Sequence, residues 1–374
     1  MRNLLSFFKK SSKNPDNFIA LDFGTTSTKA FIFSLPAGRQ VLNEQVQLLG
    51  QGQGTPAEAV EQAATQAGVR PTQTVVGIGG ENAWCLTTTV RFNRPDPEKE
   101  IASKEVEKLN EQIFRTALMH ATPQMSQFIG DPELTLQLID SAILFYKIDG
   151  QTVIGPIGQK GKILESSIFT AYSSAVYLGW LAETLKELNL NLWAVSSLMS
   201  ILVKTLAADS LLDYNAIILD VGGKVTDVAV VFGGGIWGSR PLSLGGECFT
   251  TALVNGFAID KNTAEAKKIA YATHQLRDEE VPEIAEKLKP VLELWLTGVE
   301  AALADFEGVK TFPSRIILTG GGAHLEELKE GLANYPLMRA LPFASPPVVD
   351  VRTDVGPQNM KLVAEDILSG GKNA

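Results

Sequence analysis

Apolar positions along the chain fall into two textures. Short runs closed by glycine, proline and polar clusters predict strands; longer stretches of 3.6-residue period predict helices. Strand patterns stand at 18–24, 28–34 and 41–48, with "LPAGRQ" as the turn between the last two. Residues 56–68, "PAEAVEQAATQAG", predict a helix ended by Gly68. "TVVGIGG" from Thr74 reads as a buried strand running into a glycine turn, and "WCLTTTVRF" as the next strand. The texture then changes. Asp96–Ala121 is a charged amphipathic helical region, followed by strands in "AILFYKIDGQTVIG" and "KILESSIFTAYSS". Together they predict a compact insert at roughly 90–171. Ala175–Leu190 has the period of an amphipathic helix, whereas "SLMSILVKTLA" is apolar nearly all round and predicts a buried one.

One pattern occurs twice. "FIALDFGTTSTKAFIF" (Phe18–Phe33) and "AIILDVGGKVTDVAVVF" (Ala216–Phe232) each place an aspartate at the end of an apolar run. A glycine-containing polar turn follows, with hydroxyls and a lysine, and then another apolar run. Each alone fits a plain hairpin, since glycine turns easily. Each also fits a loop whose N–H groups and hydroxyls converge on an anion. The echo suggests two like halves facing one site. A third glycine element, "RIILTGGGAHLEELKEGL", runs strand, Gly320–Gly321–Gly322, helix. It matches neither a dinucleotide fingerprint nor a P-loop. Between the second and third elements, Gly245 and Gly246 precede a helix, and Glu265 and Lys268 stand three apart on one helix face. That pair suits either a surface ion pair or contacts to ribose hydroxyls.

Composition narrows the classes. The chain has 374 residues, 45% hydrophobic and 20% charged, with a formal net charge of -9. Its length suggests two or more domains, and its charge argues against a nucleic-acid binder. The two cysteines, Cys85 and Cys248, offer neither a disulfide framework nor a zinc motif, and the three histidines are scattered. No apolar run reaches the ~20 residues of a membrane span. The start, "MRNLLSFFKKSSKNPDN", fits either a disordered tail or a short basic amphipathic helix at a membrane surface.

The two Asp-Gly hairpins, the buried connecting helix and the late strand-GGG-helix resemble the actin, Hsp70 and sugar-kinase superfamily. The resemblance implies an α/β fold: an actin-like (ribonuclease-H-like), duplicated two-domain ATPase with a small α+β insert. Within it, "FYKIDGQTVIGPIGQKGKILESSIFTAYSS", "SLGGECFTTAL" and "TAEAKKI" resemble the bacterial cell-division FtsA family; the type IV pilus PilM family is the second resemblance. The implied divisions are a tail at 1–17, a first half at 18–89 and 172–213, and the insert at 90–171. A second half at 214–240 and 313–374 and a small subdomain at 241–312 follow.

The resemblance implies ATP and Mg2+ as ligands. Asp22 and Asp220 would act as the catalytic and metal-holding acids. Gly24, Thr25, Thr26, Ser27, Thr28 and Lys29 would meet β/γ-phosphate from one side, and Gly222, Gly223, Lys224 and Thr226 from the other, with Asp227 finishing that hairpin. Gly245, Gly246, Glu265 and Lys268 would flank the nucleoside, with Gly321, Gly322 and Ala323 as the shelf for adenine and ribose. Implied partners are the tail peptide of a tubulin-like division protein, or a pilus protein peptide, and further copies in a protofilament. Implied functions are a membrane-proximal division adaptor or, alternatively, a pilus assembly scaffold; a metabolic kinase is less favoured. The location would be cytoplasmic, at the inner face of the cell membrane. Three departures stand out. Ser196 occupies the place of a usual glutamate, and a serine alone is no base at neutral pH, so at most slow hydrolysis is expected. Lys224 replaces a small residue. "MKLVAEDIL" reads as a closing helix rather than a detached anchor, which leaves residues 2–12 as the candidate membrane contact.

Overall fold

A computed structural model of the protein describes residues 16–34, 47–207 and 214–353. The chain runs β1 (Asn17–Phe23), β2 (Thr28–Ser34), β3 (Gln47–Gly54), α1 (Pro56–Ala67), β4 (Gln73–Ile78) and β5 (Trp84–Asn93). There follow α2 (Ser103–Ile129), β6 (Leu136–Ile148), β7 (Gln151–Val153), β8 (Ile163–Ser174), α3 (Ala175–Glu187), β9 (Asn191–Ser197) and α4 (Leu198–Leu206). The remainder is β10 (Ala216–Val221), β11 (Thr226–Phe232), β12 (Gly235–Leu242), α5 (Gly246–Phe257), α6 (Lys261–Ala272), α7 (Val281–Ala304), β13 (Arg315–Thr319), α8 (Glu326–Asn334) and β14 (Val348–Val351). The tail 2–12, the turn 35–40 and the closing helix at 360–368 lie outside the described residues.

The repeat seen in the sequence is a repeat of topology. One sheet has the order β3-β2-β1-β4-β9; the other contains β12-β11-β10-β13-β14. In each, two antiparallel pairings are followed by two parallel ones. Asp22 faces Lys29 across its hairpin and Gly77 on the parallel side. Asp220, in the equivalent place, faces Asp227 and Thr319. The central strands are covered on both faces and read as nearly unbroken apolar runs for that reason. The second sheet continues through β5 into β8, β6 and β7, so the insert region is an extension of it. Helix α2 covers that extension with Val106, Leu109, Ile113, Ala117, Ala121 and Met125, spaced at helical period. Helix α4 buries Met199 through Val203, as an all-round apolar helix should.

Two local readings change. The third strand lies at Gln47–Gly54 rather than 41–48, and 41–46 fall outside the described residues. Gly50, Gly52 and Gly54 look like turn residues but recur every second position, on one face. A Cβ on Gly50 would lie 2.4 Å from the Ala63 carbonyl, and one on Gly52 2.2 Å from that of Ala59. The glycines bring β3 against the small residues of α1. Strand β9 was hidden between two helical patterns; seven residues that feed straight into α4 carry little periodic signal.

This packing predicts a contrast between two alanine substitutions. Gly52→Ala forces backbone against backbone and is expected to cost about 2–3 kcal/mol. Gly68→Ala, at a left-handed helix end (φ 67°) with open space, is expected to cost only about 1 kcal/mol. Urea unfolding of both variants checks the order.

Candidate functional site

The carboxyl ends of the parallel strands of both sheets, where ligands of open α/β sheets bind, meet at the two hairpin turns, and the space between them is the candidate crevice. The residues singled out in the sequence arrive there on the two hairpin turns, on α5 and α6, and on the turn after β13. The two hairpins touch. Lys224 N donates to Thr25 Oγ1 at 2.9 Å, and a Cβ on Gly223 would lie 2.3 Å from the Thr26 side chain. A second link crosses beside it, from Gly80 N to Asp227 Oδ2 at 2.6 Å. In the first turn, Gly24 closes tightly on the Ser27 carbonyl, and Ser27 Oγ accepts from Gln53 Nε2 at 3.0 Å. Thr28 is buried as β2 begins.

Three aspartates share this space. Burial pushes the Asp22 carboxyl above its ordinary value, partly offset by Lys29, whose Nζ stands 3.7 Å away. Burial, reinforced by the charge of Asp22, lifts Asp220 to about 6. Burial and the charge of Asp220 lift Asp227 to about 7, against the pull of the Gly80 N–H. The substitution between the repeats explains the imbalance: the first hairpin has Lys29 where the second has Asp227. Asp227 was a minor member of the sequence reading; its place opposite Asp220 in the hairpin was the signal that could have raised it.

The second hairpin is held from behind. Gly246 N and Glu247 N, at the start of α5, donate to the carbonyls of Gly222 and Gly223 at 2.9 and 2.7 Å. A Cβ on Gly245 would lie 2.5 Å from the Gly223 carbonyl oxygen. Thr226 is wholly buried, donating to the Leu244 carbonyl at 2.6 Å and accepting from Trp295 Nε1 at 3.0 Å, and is thus a core tie. Glu265 and Lys268 are a pair, at 2.8 Å. Lys268 Nζ also reaches the Gly246 carbonyl (3.0 Å) and Thr250 Oγ1 (2.9 Å), so it clamps α6 to α5. Glu265 is held below the ordinary carboxylate value: partial burial raises it, but hydrogen bonds from Lys268 and Thr250 outweigh that. In the third element, Gly320 has φ 84° and passes directly over Asp220, where a Cβ would meet Oδ1 at 2.3 Å. Gly321 is exposed with open space above it, while Gly322 and Ala323 are buried, Gly322 against Val221.

On the floor of the crevice, Ser196 does not stand alone. Its Oγ donates to Asp140 Oδ2 at 2.7 Å, an acid that arrives from β6 and that sequence spacing did not connect to it. Among the described residues, no helix is long and apolar enough to cross a membrane.

Residues 184–347 match the model of the family described as type IV pilus assembly protein PilM. No curated protein matches the chain at a significant level. Among solved structures, a PilM–PilN type IV pilus biogenesis complex is similar with a TM-score of 0.56 at 18% identity, over 94% of this chain and 96% of that one. The ethanolamine utilization protein EutJ from Carboxydothermus hydrogenoformans gives 0.49 at 12% identity, over 95% and 92%. MreB5 of Spiroplasma citri bound to ADP gives 0.44 at 13%, over 96% and 100%. The comparisons favour the pilus-assembly resemblance over the cell-division one, which rested on the insert stretch and on the "SLGGECFTTAL" and "TAEAKKI" segments. The duplicated sheets, the paired hairpins and the full-length likeness together give the chain the actin-like ATPase fold.

Proposed function

We propose that the protein binds ATP with magnesium in the crevice and works as an actin-like pilus-assembly protein of the PilM kind. In this reading it engages a segment of a pilus protein at the cytoplasmic face of the membrane and self-assembles. The observation that carries the nucleotide part is the pair Asp22 and Asp220, at matching strand ends in a space where burial raises both carboxyls and Lys29 is the near cation. Such a pair suits a divalent cation held by one or two carboxylates together with phosphate oxygens. Magnesium, when bound, supplies positive charge shared between carboxylates and phosphates.

The chain's own residues divide the remaining work. The hydroxyls of Thr25, Thr26 and Ser27 and the backbone of the turn offer donors on one side; Gly222, Gly223 and Lys224 offer backbone on the other. Gly321 leaves room for a flat group. Lys268 and Glu265 act through α5, fixing the helix start that holds the second hairpin. The pilus part of the reading is supported by the family match over 184–347 and by the likeness to a PilM–PilN complex.

Asp220→Asn is expected to weaken ATP binding in magnesium at least tenfold, and far less in chelator, by isothermal titration. Equal affinities with and without the substitution would overturn the metal assignment. The pilus reading is checked by pull-down with peptides from pilus inner-membrane proteins against a tubulin-like tail peptide; retention of only the latter would reverse it.

The raised carboxyl of Asp227 gives a further prediction without nucleotide. Folded, it holds its proton up to about 7; unfolded, it releases it near the ordinary 3.8. The native state therefore binds the extra proton in that window, and stability falls as pH rises through it. Thermal melts at pH 5 and pH 8 are expected to show that fall, and Asp227→Asn to flatten it while keeping an acceptor for Gly80 N.

A further inference from the structure

One carboxylate is held more tightly than packing or helix capping requires. Asp140 stands on β6, yet its Oδ2 accepts three hydrogen bonds from β9 and the first turn of α4: Ser196 Oγ at 2.7 Å, Ser197 N at 3.1 Å and Ser200 Oγ at 3.0 Å. Helix α4 already has its own cap, since Ser197 Oγ accepts from Ser200 N. Three donors fix one oxygen of Asp140, while Oδ1 accepts from none of the described residues and the side chain is only half-buried. A carboxylate locked on one side and open on the other has a fixed direction.

Its place is the crevice floor. Ser196 is in register with Gly77, which is in register with Asp22, all at the carboxyl ends of the parallel strands β9, β4 and β1. Two strand spacings separate Asp22 from Ser196, about 10 Å. Between the acids lies Cys85, whose Sγ is 3.1 Å from Ser197 Oγ and whose thiol feels the charges of both Asp227 and Asp140. Asp140 thus stands across the crevice floor from the acids assigned to the metal. Ser196 spends its proton on Asp140, which leaves its lone pairs to accept from a water.

We propose that Asp140, with Ser196 bound to it, orients and deprotonates the water that attacks the terminal phosphoryl group of a nucleotide in the crevice, an inference that rests on the nucleotide reading above. The water oxygen forms a bond to the terminal phosphorus as the bond from that phosphorus to the β–γ bridging oxygen breaks. ADP leaves with the electron pair, and the water proton passes to the open Oδ1 and then to solvent. The inserted sheet would thereby supply a catalytic group to a site whose other residues come from the two halves.

The test is Asp140→Asn in the full chain, followed by ATP affinity, thermal midpoint and single-turnover hydrolysis across pH. The amide keeps an acceptor for the serines but cannot take the proton. Expected is a fall in rate of about a hundredfold, with ATP affinity within about threefold. If Asp140→Asn does not fold, Ser196→Ala serves instead, with a slower rate at unchanged affinity expected. An unchanged rate overturns the proposal. So does a proportionate fall in affinity, midpoint and rate, which would make Asp140 a structural joint. So does wild-type protein that binds ATP without hydrolysing it. Wild-type protein that binds no ATP fails the nucleotide reading itself, and the inference with it.

Discussion

Like charge held at one point is the constraint around which this molecule is arranged. Two copies of the same hairpin put Asp22 and Asp220 at equivalent strand ends, and the facing of the two sheets brings those ends together. Burial raises both carboxyls, and the charge of Asp22 makes Asp220 harder still to ionise. Asp227 adds a third acid where the first half has a lysine. A fold selected for stability alone has no reason to concentrate acids at the junction of its halves. Strongly shifted carboxylates that share one space mark a candidate functional site.

The structure answers this repulsion with braces from behind. Gly246 and Glu247 offer their N–H groups to the carbonyls of the second turn, and Lys268 fastens the same helix start through Gly246. Gly245 and Gly320 are required for a different reason: backbone passes so close to the turn and to Asp220 that no side chain fits. The glycines that attracted attention in the sequence therefore have separate duties. Some line open space, as Gly321 does, and others allow chain to approach chain, as Gly322 does against Val221.

That division explains what was legible before the structure. The hairpins, both aspartates, the helix ended by Gly68 and the buried helix α4 follow from periodicity and turn chemistry, which are local. The duplication was legible because each half repeats its own local pattern. What was not legible depends on contacts far apart in sequence. Glycine alternation in β3 has meaning only beside α1, and the strand was read at 41–48, short of those glycines. Thr226 carries a hydroxyl in a phosphate-loop pattern, yet a tryptophan 69 residues away turns it into a core tie. Ser196 looked like a lost acid, because Asp140 reaches it from another strand, 56 residues earlier.

The links between the halves are drawn from the same atoms that would receive a ligand. Thr25 Oγ1 takes the Lys224 N–H, a donor that a phosphate oxygen would also seek, and Gly80 N binds Asp227 within the acid cluster. Each such bond contributes only about 1 kcal/mol net, or somewhat more where the acceptor is charged. Against them stands the repulsion among three buried carboxyls, which grows as they ionise. The crevice is therefore closed by weak bonds over a site that resists closure. In the proposed nucleotide reading, Lys224 N would be free to donate to an anion in place of the Thr25 hydroxyl, and a divalent cation held by Asp22 and Asp220 would offset the charge of the acids. On that reading, closure around a ligand would gain what closure without it lacks, and the relative position of the two halves would depend on occupancy. Because β5, β8 and β6 extend the second sheet while Asp140 grips β9 of the first, any movement between halves must be felt at that grip.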